Sequence, residues 1–106
     1  MGEKRTINGV VARFKERLTQ KYQVHALILF GSRARGEGDE WSDYDFIIVS
    51  PDFRGVPFLQ RRRGMVAIRE RGVSFDFLCY TPDEYQAKVQ QVGIIREALE
   101  TGIKLI

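Results

Sequence analysis

Apolar side chains recur along this chain with two periods, and the switch between them predicts an alternation of helices and strands. Ile7, Val10, Val11, Phe14 and Leu18 fall at helical spacing, with Lys4, Arg13, Lys15, Glu16 and Arg17 on the other faces. That stripe predicts an amphipathic helix. Residues 24–30 are a short apolar run and read as a buried strand. Residues 44–49 form a second strand, closed by Ser50, Pro51 and Asp52. Residues 57–71 read as a helix: Pro57 suits the first helical position, and Phe58, Arg62, Met65, Val66 and Arg69 share a stripe. Gly64 weakens that helix by roughly 1 kcal/mol relative to Ala. Gly72 ends it, and residues 73–80 make a third strand. Thr81, Pro82 and Glu84 occupy the N-cap, N1 and N3 positions of a capping box, which opens a helix running to about residue 91. Gly93 separates it from a last helix over 94–101, with Gly102 expected at C′. The order of elements predicts an α/β layer structure.

The chain has 106 residues, 43% hydrophobic and 29% charged, a composition of one soluble globular domain. Its net charge of +3 is mild, compatible with an anionic ligand without identifying a nucleic-acid binder. Cys79 is the only cysteine, which excludes an internal disulfide, and its apolar neighbours predict a buried free thiol. With a single histidine, no His/Cys zinc cluster can form. No signal-like stretch follows Met1, and no apolar run approaches the roughly 20 residues of a membrane span. A cytoplasmic protein is expected.

The most informative chemistry lies between the first two strands. Side chains alternate across a strand, so Asp43 and Asp45 share a face with Ile47 and Val49, while Tyr44, Phe46 and Ile48 make the other. Both faces are apolar beyond Asp45, so this strand is expected to be central. Two carboxylates at the mouth of a buried strand repel each other and lose water. A cation removes that penalty, and oxygen-only ligands point to Mg²⁺ or Mn²⁺. Asp76, flanked by Phe75 and Phe77, has no Lys or Arg between residues 73 and 80 to pair with. If the third strand lies beside the second, Asp76 joins Asp43 and Asp45. Three carboxylates around two metal ions serve in-line phosphoryl transfer. The bland alternative is that Asp43 and Asp45 cap a turn or lie on a wet surface.

Gly31-Ser32 follows the first strand directly. Gly31 can take a positive φ and admit a phosphate closely. Ser32 offers a hydroxyl and a backbone N–H, and a short helix starting there would present further N–H groups to an anion. Arg33 and Arg35 could add charge-assisted bonds. The alternative is a plain turn with solvated arginines, and the ending of a Walker A loop is missing.

Ten residues, 33–42, separate Gly31-Ser32 from Asp43-Tyr44-Asp45, and a strand aspartate, Asp76, follows later. This combined pattern resembles the DNA polymerase β-like nucleotidyltransferase superfamily, and "LILFGSRARGEGDEWSDYDFIIV" is similar to its minimal nucleotidyltransferase (MNT) branch. The resemblance implies a small nucleotidyltransferase fold of the α/β (α+β) class, with a short mixed sheet of at least three strands packed against helices. It implies one domain over residues 1–106. It places Gly31 and Ser32, with Arg33 beside them, on the phosphates of a nucleoside triphosphate such as ATP. Asp43 and Asp45 would bind two divalent ions, Mg²⁺ or possible Mn²⁺, and Asp76 the catalytic ion while helping to activate the acceptor hydroxyl. Minimal members of this kind often accompany a HEPN-domain protein, as antitoxin and RNase toxin. The resemblance then implies transfer of AMP from ATP to a tyrosine of the HEPN partner, with release of pyrophosphate. A contact antitoxin without catalysis is the other reading.

The remaining residues read mostly as structure. Arg61, Arg62 and Arg63 spread around a helix and predict a solvated or partner-facing surface, so direct nucleic-acid binding is not expected. Trp41 reads as loop packing, with stacking on a base as the other option. His25 reads as packing or surface. Tyr80, Tyr85, Val89 and Val92 predict the inner side of the C-terminal helices. Ile94, Ile95, Leu99, Ile103, Leu105 and Ile106 make an apolar end that closes the core, and any excess would suit a homo- or hetero-oligomer contact.

Overall fold

A computed structural model describes residues 9–36, 42–91 and 93–106. The fold is organised by its second strand. Tyr44, Phe46 and Ile48 are buried on one face of that strand, β2 (Tyr44–Val49), and Ile47 and Val49 on the other. A strand apolar on both sides needs neighbours on both edges and cover on both faces, and it has them. Strand β1 (Ala26–Phe30) pairs antiparallel with one edge of β2, and β3 (Phe75–Tyr80) pairs parallel with the other. The sheet is mixed, as expected.

Helix α1 (Gly9–Lys21) buries Val11, Phe14 and Leu18 as its stripe predicts; Ile7 lies outside the described residues. Phe14 stacks on Phe46 at 4.8 Å and meets Phe75 edge-on at 5.3 Å. With Met65 of α2 (Phe58–Val66) these rings form the core on one face of the sheet. Helices α3 (Pro82–Val89) and α4 (Ile94–Thr101) cover the other, where Ile95 and Ala98 pack on Ala26, Ile28, Ile47 and Val49. Tyr80 is buried there and Tyr85 and Val89 pack against it, as predicted; Val92 lies outside the described residues. The capping box is complete: Thr81 Oγ1 accepts from the Glu84 N–H, and a Glu84 carboxylate oxygen accepts from the Thr81 N–H.

Three expectations need correction. The second helix stops at Val66 instead of residue 71, because the Ile68 and Arg69 N–H groups both fold back on the Met65 carbonyl and close it; Pro57 is its N-cap. Its inner side is Arg61 and Met65, while Arg62 and Val66 of the expected stripe are exposed. Gly102 does not take a left-handed C′ conformation: its φ is −85°, and a side chain there would collide with the carbonyls of Ala98 and Leu29. Consistent with a sheet of at least three strands, Gly102 also leads into a two-residue strand, β4 (Ile103–Lys104), which adds to the free edge of β1 and makes the order β3-β2-β1-β4. Ile103, Leu105 and Ile106 pack on the α1-side core, so the apolar end does close it in part. Among the described residues, no helix is long and apolar enough to cross a membrane.

Candidate active site

The antiparallel register of β1 and β2 pairs Phe30 with Asp45. The residue that follows, Gly31, therefore turns beside the Asp45 side chain. Its φ is +79°, a conformation that costs an L-residue about 1–2 kcal/mol. Any Cβ on Gly31 would also overlap the Asp45 carboxylate. Both constraints select glycine, and together they bring the two ends of the connection into contact. Beyond Gly31 the chain forms a succession of turns, the alternative to a short helix starting at Ser32. The Gly31 carbonyl accepts from the N–H groups of Ala34 and Arg35 at 3.1 and 3.3 Å. Ser32 is half-buried on this turn. A cleft of about 160 Å³ lies alongside, lined by Phe30, Gly31, Arg35, Glu97, Ala98 and Thr101.

The parallel register of β2 and β3 pairs Asp45 with Asp76. In a parallel ladder, paired residues project to the same side. The two aspartates thus stand side by side, while Tyr44, Phe46, Phe75 and Phe77 alternate to the opposite face and form the aromatic wall packed by Phe14. Asp43, one residue ahead of the strand, is exposed and close enough to act on Asp45 electrostatically. Burial first, then the negative charges of Asp76 and Asp43, push the Asp45 carboxyl above its ordinary value.

Two arginines shape this region, neither as simple solvated charge. Arg33 Nε donates to the Ser42 carbonyl at 3.0 Å, and its guanidinium lies 4.1 Å from the centre of the Tyr44 ring. It braces the start of the loop against its end. Glu37, Asp39, Glu40 and Trp41 of that loop lie outside the described residues. Arg62 Nη2 of α2 pairs with Asp76 Oδ1 at 3.2 Å, and the same oxygen accepts from the Phe77 N–H at 3.0 Å. No cationic partner lies on its own strand, as the sequence indicates, but one reaches it from the preceding helix. Its side chain is also 54% exposed, so it stands in water more than the flanking aromatics suggest.

Arg61 differs most from the reading of a solvated arginine run. Its side chain is 6% exposed. Nε donates to the Val56 carbonyl at 2.9 Å, Nη1 to the Cys79 carbonyl at 3.1 Å, and Nη2 to Glu84 Oε2 at 3.1 Å, with a second, shorter bond to Oε1. The guanidinium ties α2, the end of β3 and the capping box of α3 together. Arg61 draws the Glu84 carboxyl down to about 2. Cys79 is a buried free thiol, as expected, and burial pushes it up to about 12. His25 is exposed.

The donor chemistry of Asp43, Asp45 and Asp76 fits a divalent cation. All are hard oxygen ligands, and Asp45 already carries the electrostatic load that a cation would relieve. As the side chains stand, no three acidic, histidine or cysteine residues converge on one ion position among the described residues. Asp76 is turned to Arg62 instead.

The family model described as "Nucleotidyltransferase domain" matches residues 11–105, and the chain belongs to that family. Comparison with curated proteins returns no match. Two solved structures share the fold. BolA1 from Arabidopsis thaliana superimposes with a TM-score of 0.60 and 20% identity over 74% of this chain and 98% of its own. A crystal structure described as a "putative nucleotidyltransferase" from Sulfolobus solfataricus gives 0.54 and 20% over 95% of this chain and 86% of its own. At such identities the likeness is of fold alone. The sheet and helices by themselves do not select an activity, which depends on the residues of the site.

Proposed function

We propose that this chain is a metal-dependent nucleotidyltransferase that moves AMP from ATP to a tyrosine of a HEPN-type RNase partner, acting as its antitoxin. The observation that supports it is the double register that sets Gly31, Asp45 and Asp76 next to one another. In this reading the Gly31-Ser32 turn receives the β- and γ-phosphates through backbone N–H and hydroxyl groups. Asp43, Asp45 and Asp76 would hold the divalent ions, which when bound would supply charge neutralisation at the phosphates and acidify the acceptor hydroxyl. Asp76 stands beside the incoming hydroxyl and favours loss of its proton. The phenolic oxygen forms a bond to the α-phosphorus as the bond to the bridging oxygen breaks. The electron pair leaves with pyrophosphate, and the phenolic proton passes to solvent.

The test is incubation with α-labelled ATP, Mg²⁺ and the protein encoded by the neighbouring gene, which this reading expects to be of HEPN type. Label should appear on the partner and vanish with Asp43→Asn/Asp45→Asn, whose far-ultraviolet spectrum should be unchanged. A second reading, neutralisation by contact alone, is favoured by an exposed apolar pair on α2, Leu59 and Val66, 74% and 57% exposed. Inhibition of the partner without label would establish that reading in place of the first.

A further inference from the structure

Arg62 pairs with an exposed carboxylate of the site, Asp76. The three aspartates concentrate negative charge at the ends of β2 and β3. Among the described residues, Arg62 is the cation that pairs with one of them. The pair joins two different elements, the middle of α2 and the second residue of β3. Both side chains are about half exposed, 50% and 54%, so Arg62 can leave Asp76 by rotating into solvent without disturbing the core. The oxygen it holds, Oδ1, is also fixed by the Phe77 N–H. A guanidinium at 3.2 Å from that oxygen and a divalent ion at about 2.1 Å from the same carboxylate would repel strongly.

We propose that Arg62 is a built-in counter-cation: it holds Asp76 in the metal-free protein, opposes a divalent ion there, and is released when the ion binds. This rests on the reading of Asp43, Asp45 and Asp76 as metal ligands. Arg62 is thus a positioning residue that sets the threshold of cation concentration at which the site assembles. It also limits repulsion among the three carboxylates while no ion is present.

Mn²⁺ binding, followed by loss of the free-ion electron paramagnetic resonance signal without nucleotide, tests this directly. The proteins are the wild type, Arg62→Gln, Arg63→Gln and Asp45→Asn. Arg63 is exposed, carries the same charge and lies about 100° around the helix from Arg62. Removing an exposed pairing partner should tighten Mn²⁺ binding roughly two- to fivefold in Arg62→Gln. Arg63→Gln should tighten it less, through long-range charge only. Without metal, Arg62→Gln should also melt below Arg63→Gln and gain more from added Mn²⁺. Equal affinities in the two arginine variants, with Asp45→Asn still losing the ion, would overturn the counter-cation and leave the metal site standing. A wild type whose Mn²⁺ binding Asp45→Asn does not reduce would remove the metal reading, and the counter-cation with it.

Discussion

Asp45→Asn should make the protein more stable while abolishing the transfer. The substitution keeps the shape of the side chain and removes its charge. In the wild type that charge is partly buried and sits beside Asp76 in the ladder, with Asp43 nearby. Neighbouring strands are about 4.8 Å apart. Two unit charges at about 5 Å repel by about 3 kcal/mol at an effective dielectric of 20, and by about 0.8 kcal/mol in water. The site is open, and Arg62 compensates part of the charge on Asp76, so a net gain of about 1 kcal/mol is expected from the variant. For a domain of this size that is roughly 3–5 °C in Tm. The pH dependence follows from the raised carboxyl. The folded chain binds this proton more tightly than the unfolded chain does, so the penalty is absent in acid and grows as pH rises through the folded value. The variant's advantage should therefore be absent below the ordinary carboxyl range of about pH 4 and open as pH rises above it. Thermal and urea unfolding in EDTA measure it, and added Mg²⁺ should close the gap by stabilising the wild type only. A variant less stable than the wild type at pH 7 in EDTA, or a gap independent of pH, would refute the claim that Asp45 carries an unrelieved charge.

Four further outcomes are expected. Arg61→Met leaves the Val56 and Cys79 carbonyls and Glu84 without their partner and should lower the urea-unfolding free energy by about 2–4 kcal/mol. Glu84→Gln removes the same ion pair from its more exposed side and should cost about 1 kcal/mol at neutral pH. Because the folded carboxyl is depressed, that difference should fade as pH falls from its ordinary 4.5 towards about 2. Gly31→Ala should destabilise by at least about 1–2 kcal/mol through its positive φ, and should weaken Mn²⁺ binding by displacing the Asp45 carboxylate, unlike a purely local turn defect. Cys79, buried and pushed up to about 12, should resist iodoacetamide at pH 8 in the folded protein and react once urea unfolds it.

The parts of the site that were legible are those fixed by alternation. In residues 43–49 and 73–80, a period of two puts Asp45 and Asp76 on faces shared with Ile47 and Leu78, and aromatic residues on the opposite faces. Burial of those rings against Phe14 leaves no other way round for the strand, so the packing that builds the core also aims the carboxylates. What escaped were pairings whose range exceeds any local pattern. Arg62 and Asp76 are 14 positions apart and Arg61 and Glu84 are 23 apart, each joining α2 to a later element. A signal for Arg61 was nevertheless present. Three consecutive arginines circle a helix, so they cannot all face solvent once Met65 is buried. Arg61 lies four positions before Met65 and shares its face. Strand β4 was hidden for a different reason: two residues are too few to display a period, and its position depends on the Gly102 backbone packing directly on the Leu29 carbonyl. Both misses concern how α2 and the C-terminal segment close around the sheet, while the carboxylate ladder depends only on β2 and β3. That separation explains why the placement of Asp76 beside Asp45 follows from the strand pattern while its pairing with Arg62 does not. It also makes Arg62, the contact between the two systems, the place where changes to the outer shell should register in cation binding.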